Sequence, residues 1–510
     1  MQFQHLVSHA AIMGPTLALP VAALPQHWET ASWFTELTVS PVVNELGGRA
    51  PVAIATAYVK AGWLHVPRFK GVELVGGVPS DDRRTRGEPM TPDMVFAGSL
   101  RDTPPQREAT RCVMEQLHCT GGAMLVLPCG FGKTVCGLWV VHQLARRTLV
   151  LVHTGALADQ WGERVKSFLP GARVGRIQQD VVNVEGCDVV VGMIQSLVRR
   201  EYDRELLSSF GTVVVDEAHH IAAPWFAGAL RKLGARYVLG LSATPDRKDG
   251  LGHILPWLLG PIAFRAHRPD ETVNVRMVEY VDPLNQNELR DRRGKPRYSE
   301  MLTRLALNDV RTRMVMKLIM EYVDMGGRRL IVLSERRDQL LDLERLLLSQ
   351  EGCVCVTAPR PHKRRRKKDN DTPLSPPPTL PENTRFTVGR VMGGTPAHLR
   401  DVGFDATVLL STYPYAAEGI DIPRLDTLVM ASPGINVEQT VGRILRKHPE
   451  KQTPVVVDIK DPFSLFEGMG WKRYKYYTSQ NYSVKREKHE VGMECVCVGS
   501  WPNQVCACEK

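Results

Sequence analysis

A glycine-rich segment, Pro128-Cys-Gly-Phe-Gly-Lys-Thr134, lies between an apolar run and a segment with helical spacing. Its two glycines allow backbone N–H groups to close around phosphate oxygens, and the N-terminus of the following helix adds the positive end of its dipole. In this arrangement Lys133 neutralises the β- and γ-phosphates of a nucleotide, and the hydroxyl of Thr134 is a ligand for magnesium. We therefore assign ATP binding to seven consecutive residues: Pro128, Cys129, Gly130, Phe131, Gly132, Lys133 and Thr134.

An acidic motif, Asp216-Glu-Ala-His219, directly follows another apolar run. At the carboxyl end of a parallel strand, this pair of acids would face the same crevice as the glycine-rich loop. Asp216 would then hold magnesium through water, and Glu217 would orient and deprotonate the water that attacks the γ-phosphate. Either acid by itself could be a helix cap, but the two motifs in this order predict ATP hydrolysis. Ser242-Ala-Thr244 ends the next run, where small hydroxyl side chains can link the acidic motif to a second domain.

Two more motifs lie in the second half of the chain. Gly419-Ile-Asp421 follows an apolar run, and Gln439-x-x-Gly-Arg443-x-x-Arg446 comes after it. Arginines three residues apart share one face of a helix and could reach the nucleotide from across a cleft. Surface arginines on a helix are usually solvated, so either arginine alone would carry little weight.

Short apolar runs alternate with helical patterns along most of the chain. The runs are apolar throughout, as expected for strands buried on both faces of a parallel sheet. They form two groups, separated by a helical stretch over residues 298–325. The predicted strands are 123–127, 148–152, 188–191, 212–215, 237–241, 330–333, 407–410, 427–430 and 454–457. This pattern predicts an α/β protein with two parallel-sheet domains in tandem.

The same pattern predicts the domain boundaries. Residues 1–95, with many Gly and Pro, form a small N-terminal accessory region. Residues 96–268 form the ATP-binding domain, and residues 269–485 form the second domain. Within the second domain, residues 357–386 combine a basic run with Pro-rich sequence, which indicates a disordered insertion because the segment is too long and polar for an ordinary connection.

Residues 486–510 form a cysteine-containing tail. Its pairs, Cys495-x-Cys497 and Cys506-x-Cys508, have a spacing that is poor for structural zinc. Free thiols are the simpler interpretation, although a bound metal stays open. The chain has eleven cysteines, an odd and scattered set that fits a reducing compartment better than a disulfide framework.

Composition and charge limit the classes of protein to which the chain can belong. The chain has 510 residues, of which 43% are hydrophobic and 24% charged, which excludes a mainly disordered, collagenous or coiled-coil protein. No stretch reaches ~18 apolar residues, so we expect no membrane partner. The net charge is +10, but seven basic residues lie between Arg360 and Lys368, which leaves 10 − 7 = +3 for the rest. Three interpretations of the basic run are open: a nuclear-import signal, a phosphate-binding arm or a solvated loop.

The ordered motifs resemble those of the superfamily-2 helicases of the DEAH type. Three departures from the commonest forms are similar to one branch: Leu127 in place of a glycine, Gln160-Trp161, and Ser242-Ala-Thr-Pro-Asp-Arg-Lys-Asp-Gly250. The chain is most similar to the helicases of nucleocytoplasmic large DNA viruses, including the poxvirus transcript-release helicase and iridovirus helicases. XPB and the phage helicase UvsW are similar at a greater distance.

The resemblance implies a fold, cofactors and further site residues. It implies two tandem RecA-like P-loop domains that use ATP and Mg²⁺. It places Arg101 and Gln106 beside the adenine, and it makes Arg443 and Arg446 arginine fingers. It adds three ATP-binding residues: Gly419, Asp421 and Gln439. It adds five nucleic-acid contacts: Thr154, Gln195, Ser196, Ser334 and Thr412.

These implications predict an ATP-dependent helicase or translocase acting on DNA rather than RNA, in viral transcription, recombination or repair. Its catalytic residues would be Lys133, Glu217, Arg443 and Arg446, and Thr134 and Asp216 would hold magnesium. One alternative is an ATPase that remodels a transcription complex without unwinding, and another is a non-enzymatic binding factor. Transcription or replication proteins are the expected partners, and the host nucleus or the virion is the expected location.

Overall fold

Apolar runs such as Gly122–Val126 and Thr148–Val152 form strands in which every residue is buried, because both faces of the sheet are covered. The computed structural model of the chain divides into two units, Met1–His267 and Arg268–Lys510. The structure describes residues 10–40, 53–103, 105–219, 228–244, 250–266, 272–283, 286–357, 380–420, 422–434, 437–446, 448–449, 451–491 and 496–498.

Short strands and two helices begin the first unit. They are β1 (Ile12–Met13), β2 (Leu17–Pro20), α1 (Ser32–Thr35), β3 (Thr38–Val39), β4 (Ile54–Ala55), β5 (Tyr58–Lys60), β6 (Trp63–Val66), α2 (Arg68–Val75) and β7 (Asp81–Asp82). Five of the strands form a sheet in the order β5-β6-β2-β1-β7, and β3 pairs with β4.

Helix α2 attaches this small sheet to the rest of the first unit. Its Arg68 guanidinium donates to the carbonyls of Leu233 and Ala235, each at 2.9 Å. The ring of Phe69 lies so close to Gly122 that a Cβ there would be 2.1 Å from a ring carbon. The N-terminal region therefore contributes to the core of the first unit.

The large sheet of the first unit has eight strands. They are β8 (Gly122–Val126), β9 (Thr148–Val152), β10 (Val174–Gln178), β11 (Val181–Asn183), β12 (Val189–Met193), β13 (Thr212–Val215), β14 (Tyr237–Ser242) and β15 (Ile262–Arg265). Their order is β11-β10-β12-β9-β13-β14-β8-β15, and every pairing except β10-β11 is parallel. The strands before the glycine-rich loop and before the acidic motif are thus separated only by β14, and their carboxyl ends share one edge.

Helices of the first unit cover the two faces of this sheet. They are α3 (Gln106–Thr120), α4 (Lys133–Leu144), α5 (Gly155–Phe168), α6 (Ile194–Arg199), α7 (Arg204–Ser208) and α8 (Ile254–Leu259). Two separate clusters of buried apolar side chains result, one on each face.

The second unit contains a nine-stranded sheet. Its strands are β16 (Asn274–Val281), β17 (Leu330–Ser334), β18 (Cys353–Cys355), β19 (Phe386–Arg390), β20 (Val408–Thr412), β21 (Thr427–Met430), β22 (Val455–Lys460), β23 (Ser483–Glu490) and β24 (Val496–Val498). The order is β18-β19-β20-β17-β21-β22-β16-β23-β24, and only β24 is antiparallel to its neighbour.

Seven helices of the second unit are described. They are α9 (Tyr298–Ala306), α10 (Asp309–Asp324), α11 (Arg337–Leu348), α12 (Ala397–Phe404), α13 (Tyr413–Gly419), α14 (Val437–Gly442) and α15 (Ser464–Ser479). The predicted helical stretch over 298–325 is therefore two helices, divided at Leu307 and Asn308. Asn308 caps α10 by accepting a hydrogen bond from the backbone N–H of Arg311 at 2.9 Å.

The predicted fold class is confirmed: the chain has two tandem α/β units with parallel sheets, and the first unit includes the small N-terminal region. All nine predicted strands are present within one or two residues at their starts. Strand β16 was not predicted, although it lies between β22 and β23 inside the second sheet.

Two predicted boundaries run through regular structure. Strand β23 continues past residue 485 to Glu490, inside the segment predicted as a tail. Phe386, the last residue of the predicted insertion, begins β19 and is buried. The basic run 360–368 and Cys495, Cys506 and Cys508 lie outside the described residues. No helix in the described part of the chain is long and apolar enough to cross a membrane.

Candidate functional site

The glycine-rich loop joins β8 to α4 at the edge predicted to bind phosphate. Gly130 and Gly132 have φ values of 84° and 81°, a left-handed conformation that residues with a side chain rarely adopt. Gly132 also lies directly before α4, and no side chain caps the N-terminus of that helix. The free N–H groups and the positive end of the dipole of this twelve-residue helix therefore face the loop, and the first turn has no acidic side chain. Such a helix N-terminus is suited to binding a nucleotide phosphate.

Lys133 begins α4 directly after the loop, and its Nζ donates to the carbonyl of Leu127 at 3.3 Å. Thr134 follows it in the first turn of α4 and is half-buried. The Thr134 hydroxyl and the Asp216 carboxylate are oxygen donors, which is the ligand type that Mg²⁺ prefers. The residues present therefore fit a magnesium–nucleotide complex.

Gln106 connects the loop to the segment predicted to lie beside the adenine. Its amide nitrogen donates to the carbonyl of Phe131 at 2.9 Å, and its amide oxygen accepts from the backbone N–H of Arg101 at 3.0 Å. A Cβ on Gly132 would lie 2.4 Å from the same amide nitrogen, so only glycine leaves room for it. Arg101 itself is exposed.

Asp216 ends the strand next to β9 and is almost completely buried. Each of its carboxylate oxygens accepts a hydrogen bond, one from the indole Nε1 of Trp161 at 2.7 Å and one from the backbone N–H of Glu217 at 2.9 Å. The pKa of Asp216 is raised to about 6: burial and the neighbouring charge of Glu217 raise it, while the Trp161 hydrogen bond and the positive charge of Lys133 lower it. Lys133 and Asp216, predicted from separate motifs, are therefore neighbours in one site.

Glu217 adopts a φ of 46°, a left-handed conformation that is uncommon outside glycine. Its Oε2 lies 3.4 Å from Nδ1 of His219, and the same nitrogen lies 3.4 Å from the hydroxyl of Ser242. The acidic motif and the Ser-Ala-Thr motif are therefore joined through an imidazole. Strained backbone of this kind concentrates at functional sites.

Three residues predicted to contact nucleic acid lie at the carboxyl ends of β9 and β12, on the same edge of the sheet. The hydroxyl of Thr154 accepts a hydrogen bond from the N–H of Leu157 at 3.4 Å and so caps α5. Gln195 donates to a backbone carbonyl at 2.9 Å, and the Ser196 hydroxyl accepts a backbone N–H at 2.9 Å. Their role in nucleic-acid contact stays a prediction.

The two remaining residues of that set lie in the second unit, at the carboxyl ends of β17 and β20. Ser334 is 0% exposed, and its hydroxyl donates to Gln339 Oε1 at 2.7 Å and accepts from the N–H of Arg336 at 3.0 Å. In this conformation the Ser334 side chain orders the turn into α11 and does not face solvent. Thr412 directly precedes α13 and is half-buried.

The two arginines predicted to lie on one helical face lie instead in the turn after α14. That helix ends at Gly442, because the N–H of Arg443 bonds to Thr440 in the tighter spacing of a turn. Arg443 is buried, and its Nη1 donates to the carbonyl of Ile420 at 2.7 Å. This bond joins the arginine motif to the Gly419-Ile-Asp421 motif, of which Asp421 itself lies outside the described residues. Gln439 lies within α14.

Trp161 is a site residue for which the sequence predicted no role. Its position in α5, after Gln160, contributed only to the family resemblance. Trp161 lies near Asp216 because β9, which precedes α5, pairs with β13, which precedes Asp216. The sequence does not show that these two strands are neighbours.

Comparison with known proteins identifies the family of the chain. Residues 99–247 match the family described as the res subunit of type III restriction enzymes. L396 of Acanthamoeba polyphaga mimivirus, assigned as an ATP-dependent RNA helicase, is 30% identical over 463 residues, covering 89% of this chain and 82% of L396. QP509L of African swine fever virus, also assigned as an ATP-dependent RNA helicase, is 29% identical over 392 residues, covering 71% of this chain and 70% of QP509L.

Among solved structures, phage T4 UvsW is 17% identical, with 79% of this chain and 80% of UvsW covered and a TM-score of 0.30. A score this low adds nothing to the fold seen in the strand order. The sequence relatives decide the class: the chain is a superfamily-2 helicase, an enzyme of the ATP-dependent type. Within that class it belongs with the viral helicases related to L396 and QP509L, which confirms the predicted family.

Proposed function

We propose that this helicase hydrolyses ATP at the carboxyl edge of its first sheet and uses the reaction to move along DNA and separate its strands. The observation that carries the proposal is the meeting of Lys133 and Asp216, which come from the ends of different strands. The positive charge of Lys133 is close enough to lower the pKa of Asp216. A cation for phosphate and an acid for magnesium at one sheet edge are the parts that ATP hydrolysis requires.

Each residue of this edge has a separate task in the proposal. The backbone N–H groups of the loop and Lys133 bind the β- and γ-phosphates. Thr134 and Asp216 would hold Mg²⁺, which when bound neutralises charge on the phosphates. Glu217 orients the attacking water and accepts its proton, and His219 beside it keeps the carboxylate directed.

Arg443 and Arg446 are proposed to act as arginine fingers on the γ-phosphate. The buried Arg443 donates from Nη1 to the Ile420 carbonyl, and its Nε–H donates no hydrogen bond within the described residues. A guanidinium that is held at one nitrogen still has other N–H groups that can donate to a phosphate.

DNA is the proposed substrate because the nucleotide-binding segment, residues 99–247, matches a family named for a restriction enzyme. The names assigned to L396 and QP509L point instead to RNA. Contacts to phosphates position either polymer, so the side chains at the sheet edge do not choose between them.

The test is ATP hydrolysis measured with single-stranded DNA, duplex DNA, single-stranded RNA and an RNA–DNA hybrid, together with strand displacement on each duplex. We expect stimulation and displacement with the DNA substrates. Lys133→Ala protein is the control for contaminating ATPase. Stimulation by RNA alone would overturn the DNA assignment.

The same experiment distinguishes a helicase from the alternative functions. Stimulated hydrolysis without displacement on any duplex would indicate an ATPase that remodels a bound complex. Absence of hydrolysis with every polymer, in folded protein, would indicate a binding factor.

A further inference from the structure

Trp161 is enclosed between the helix that follows the glycine-rich loop and the strand that carries the acidic motif. The side chain lies in the second turn of α5 and is 1% exposed. Its indole Nε1 donates to Asp216 Oδ2 at 2.7 Å, although the two residues are 55 positions apart in the chain. The bond is short, buried and charge-assisted when Asp216 is ionised, which is the strong class of hydrogen bond.

The indole ring is held in place by close packing. A Cβ on Gly137 of α4 would lie 3.5 Å from the Cη2 atom of Trp161 and 3.0 Å from a Leu241 methyl. The ring therefore packs beside the helix that begins at Lys133, at van der Waals distance from the Gly137 position. A ring packed this closely cannot rotate its N–H away from Asp216 without opening the core.

Two donors then determine the orientation of the Asp216 carboxylate. The Trp161 N–H bonds to one oxygen and the Glu217 N–H bonds to the other. Because each carboxylate oxygen can accept two hydrogen bonds, each retains one position for another ligand. The indole of Trp161 is only a donor. It can therefore bond to the carboxylate, which accepts, but it cannot compete with the carboxylate for a cation.

We propose that Trp161 is a positioning residue for the magnesium–nucleotide complex: its indole N–H holds the Asp216 carboxylate in the orientation that binds the hydrated ion. The proposal rests on the proposed function, in which Asp216 holds Mg²⁺. Trp161 touches neither ATP nor the reacting water and acts only through Asp216. Without the N–H the carboxylate loses one of its two orienting bonds.

The test compares nucleotide binding with and without magnesium in the full-length Trp161→Phe protein. A fluorescent ATP analogue is titrated in buffer that contains Mg²⁺ and again in EDTA, so that binding rather than turnover is measured. We expect the Mg²⁺-dependent gain in affinity to fall by about tenfold, the effect of losing one hydrogen bond to a charged group. Affinity in EDTA should remain within about twofold, because the loop and Lys133 are unchanged.

Trp139→Phe is the matched control. Trp139 lies in α4, where it is half-buried and lines a cavity with Phe96 and Met114, and within the described residues it makes no hydrogen bond to Asp216. The same substitution there should leave the magnesium dependence of binding unchanged. Steady-state hydrolysis adds a second readout: raising the Mg²⁺ concentration should restore much of the rate of Trp161→Phe.

If the Trp161→Phe protein does not fold, benzothienylalanine can be incorporated at position 161 instead. It keeps the bicyclic ring and replaces the N–H with sulfur. Equal losses of affinity in Mg²⁺ and in EDTA would overturn the proposal, since a purely structural role predicts them. An unchanged magnesium dependence would overturn it while leaving the proposed function intact. If the unaltered protein shows no Mg²⁺-dependent nucleotide binding, the proposed function fails, and this proposal fails with it.

Discussion

Asp216 and Glu217 are neighbours in the chain, yet their surroundings differ. Asp216 is 6% exposed and both its oxygens accept hydrogen bonds. Glu217 has a left-handed backbone, which costs of order 1–3 kcal/mol in a residue other than glycine. The bond from its N–H to Asp216 stabilises that conformation. One acid is thus held rigidly in the core while the side chain of the other is directed toward His219.

Lys133 and Glu217, the proposed phosphate-binding cation and catalytic base, give the first prediction. Lys133→Ala and Glu217→Gln should each abolish nucleic-acid-stimulated hydrolysis, because one removes the cation for the phosphates and the other removes the base. Glu217→Gln should still bind ATP, whereas Lys133→Ala should bind it more weakly. Circular dichroism and nucleotide titration provide the folding and binding controls. Near-normal hydrolysis by folded Lys133→Ala protein would contradict the assignment of the site.

Arg443 and Arg446 give the second prediction. An arginine finger contributes ~10³–10⁵ in rate, so Arg443→Ala and Arg446→Ala should each lower turnover by orders of magnitude and leave ATP binding largely intact. Arg345→Ala in α11 is the matched control, since Arg345 is exposed and forms an ion pair with the nearby Asp342. Turnover within about twofold of the unaltered protein for both arginine variants would exclude the finger role.

At the scale of elements, buried ion pairs join the helices of the second unit to its sheet. Arg311 of α10 is completely buried, and its Nε and Nη2 each lie 2.8 Å from an oxygen of Asp461, which follows β22. Arg473 of α15 makes a comparable pair with Asp458 in β22. Such pairs fix the position of a helix because their geometry is specific and an unpaired buried charge is costly.

The Arg311–Asp461 pair gives the third prediction. Arg311→Met should lower the free energy of unfolding of the second unit by ~3–5 kcal/mol, because it leaves the Asp461 charge buried without its partner. The double variant Arg311→Met with Asp461→Leu should lose less than the single variant. Urea unfolding provides the measurement. Arg313→Met, which breaks an exposed pair with Asp309, should cost no more than ~1 kcal/mol. A double variant less stable than Arg311→Met alone would contradict the explanation.

At the scale of the whole molecule, the positive charge is concentrated in one segment. Seven basic residues lie between Arg360 and Lys368, in a segment that connects β18 to β19 and lies outside the described residues. Seven charges in nine residues cannot be buried together, and the prolines that follow oppose a helix. We propose that this run is a nuclear-import signal, because it is compact and flanked by polar, Pro-rich sequence.

Deleting residues 360–372 gives the fourth prediction. Basal ATP hydrolysis should be unchanged, because both motif-bearing sheets are complete without the segment, and nuclear accumulation in eukaryotic cells should fall. A phosphate-binding arm has a different signature, since each phosphate contact contributes roughly −0.7 to −0.9 to the slope of log affinity against log salt. Unchanged accumulation with a clearly shallower salt slope would identify the arm. Unchanged results in both assays would identify a solvated loop.

The strands that could be predicted from sequence share one property: their side chains are buried on both faces. Residues 148–152 and 212–215 are apolar throughout for that reason, and local composition alone reveals them. Strand β16 escaped prediction because polar and apolar residues alternate along it. Its Arg276 and Glu279 form ion pairs with Glu487 and Lys460 of the neighbouring strands, so pairing across the sheet stabilises residues that a composition rule rejects.

The sequence by itself determined the chemistry of the site, because a loop that binds phosphate and an acid pair that follows a strand are short contiguous motifs whose residue types limit what they can do. Only the tertiary structure decided how these motifs touch. Trp161 bonds to Asp216 because β9 and β13 are neighbours, and Arg443 bonds to Ile420 because a turn ends α14 at Gly442. Strand order and helix ends result from the packing of the whole unit, which balances many distant contacts, so no local segment of the chain specifies them.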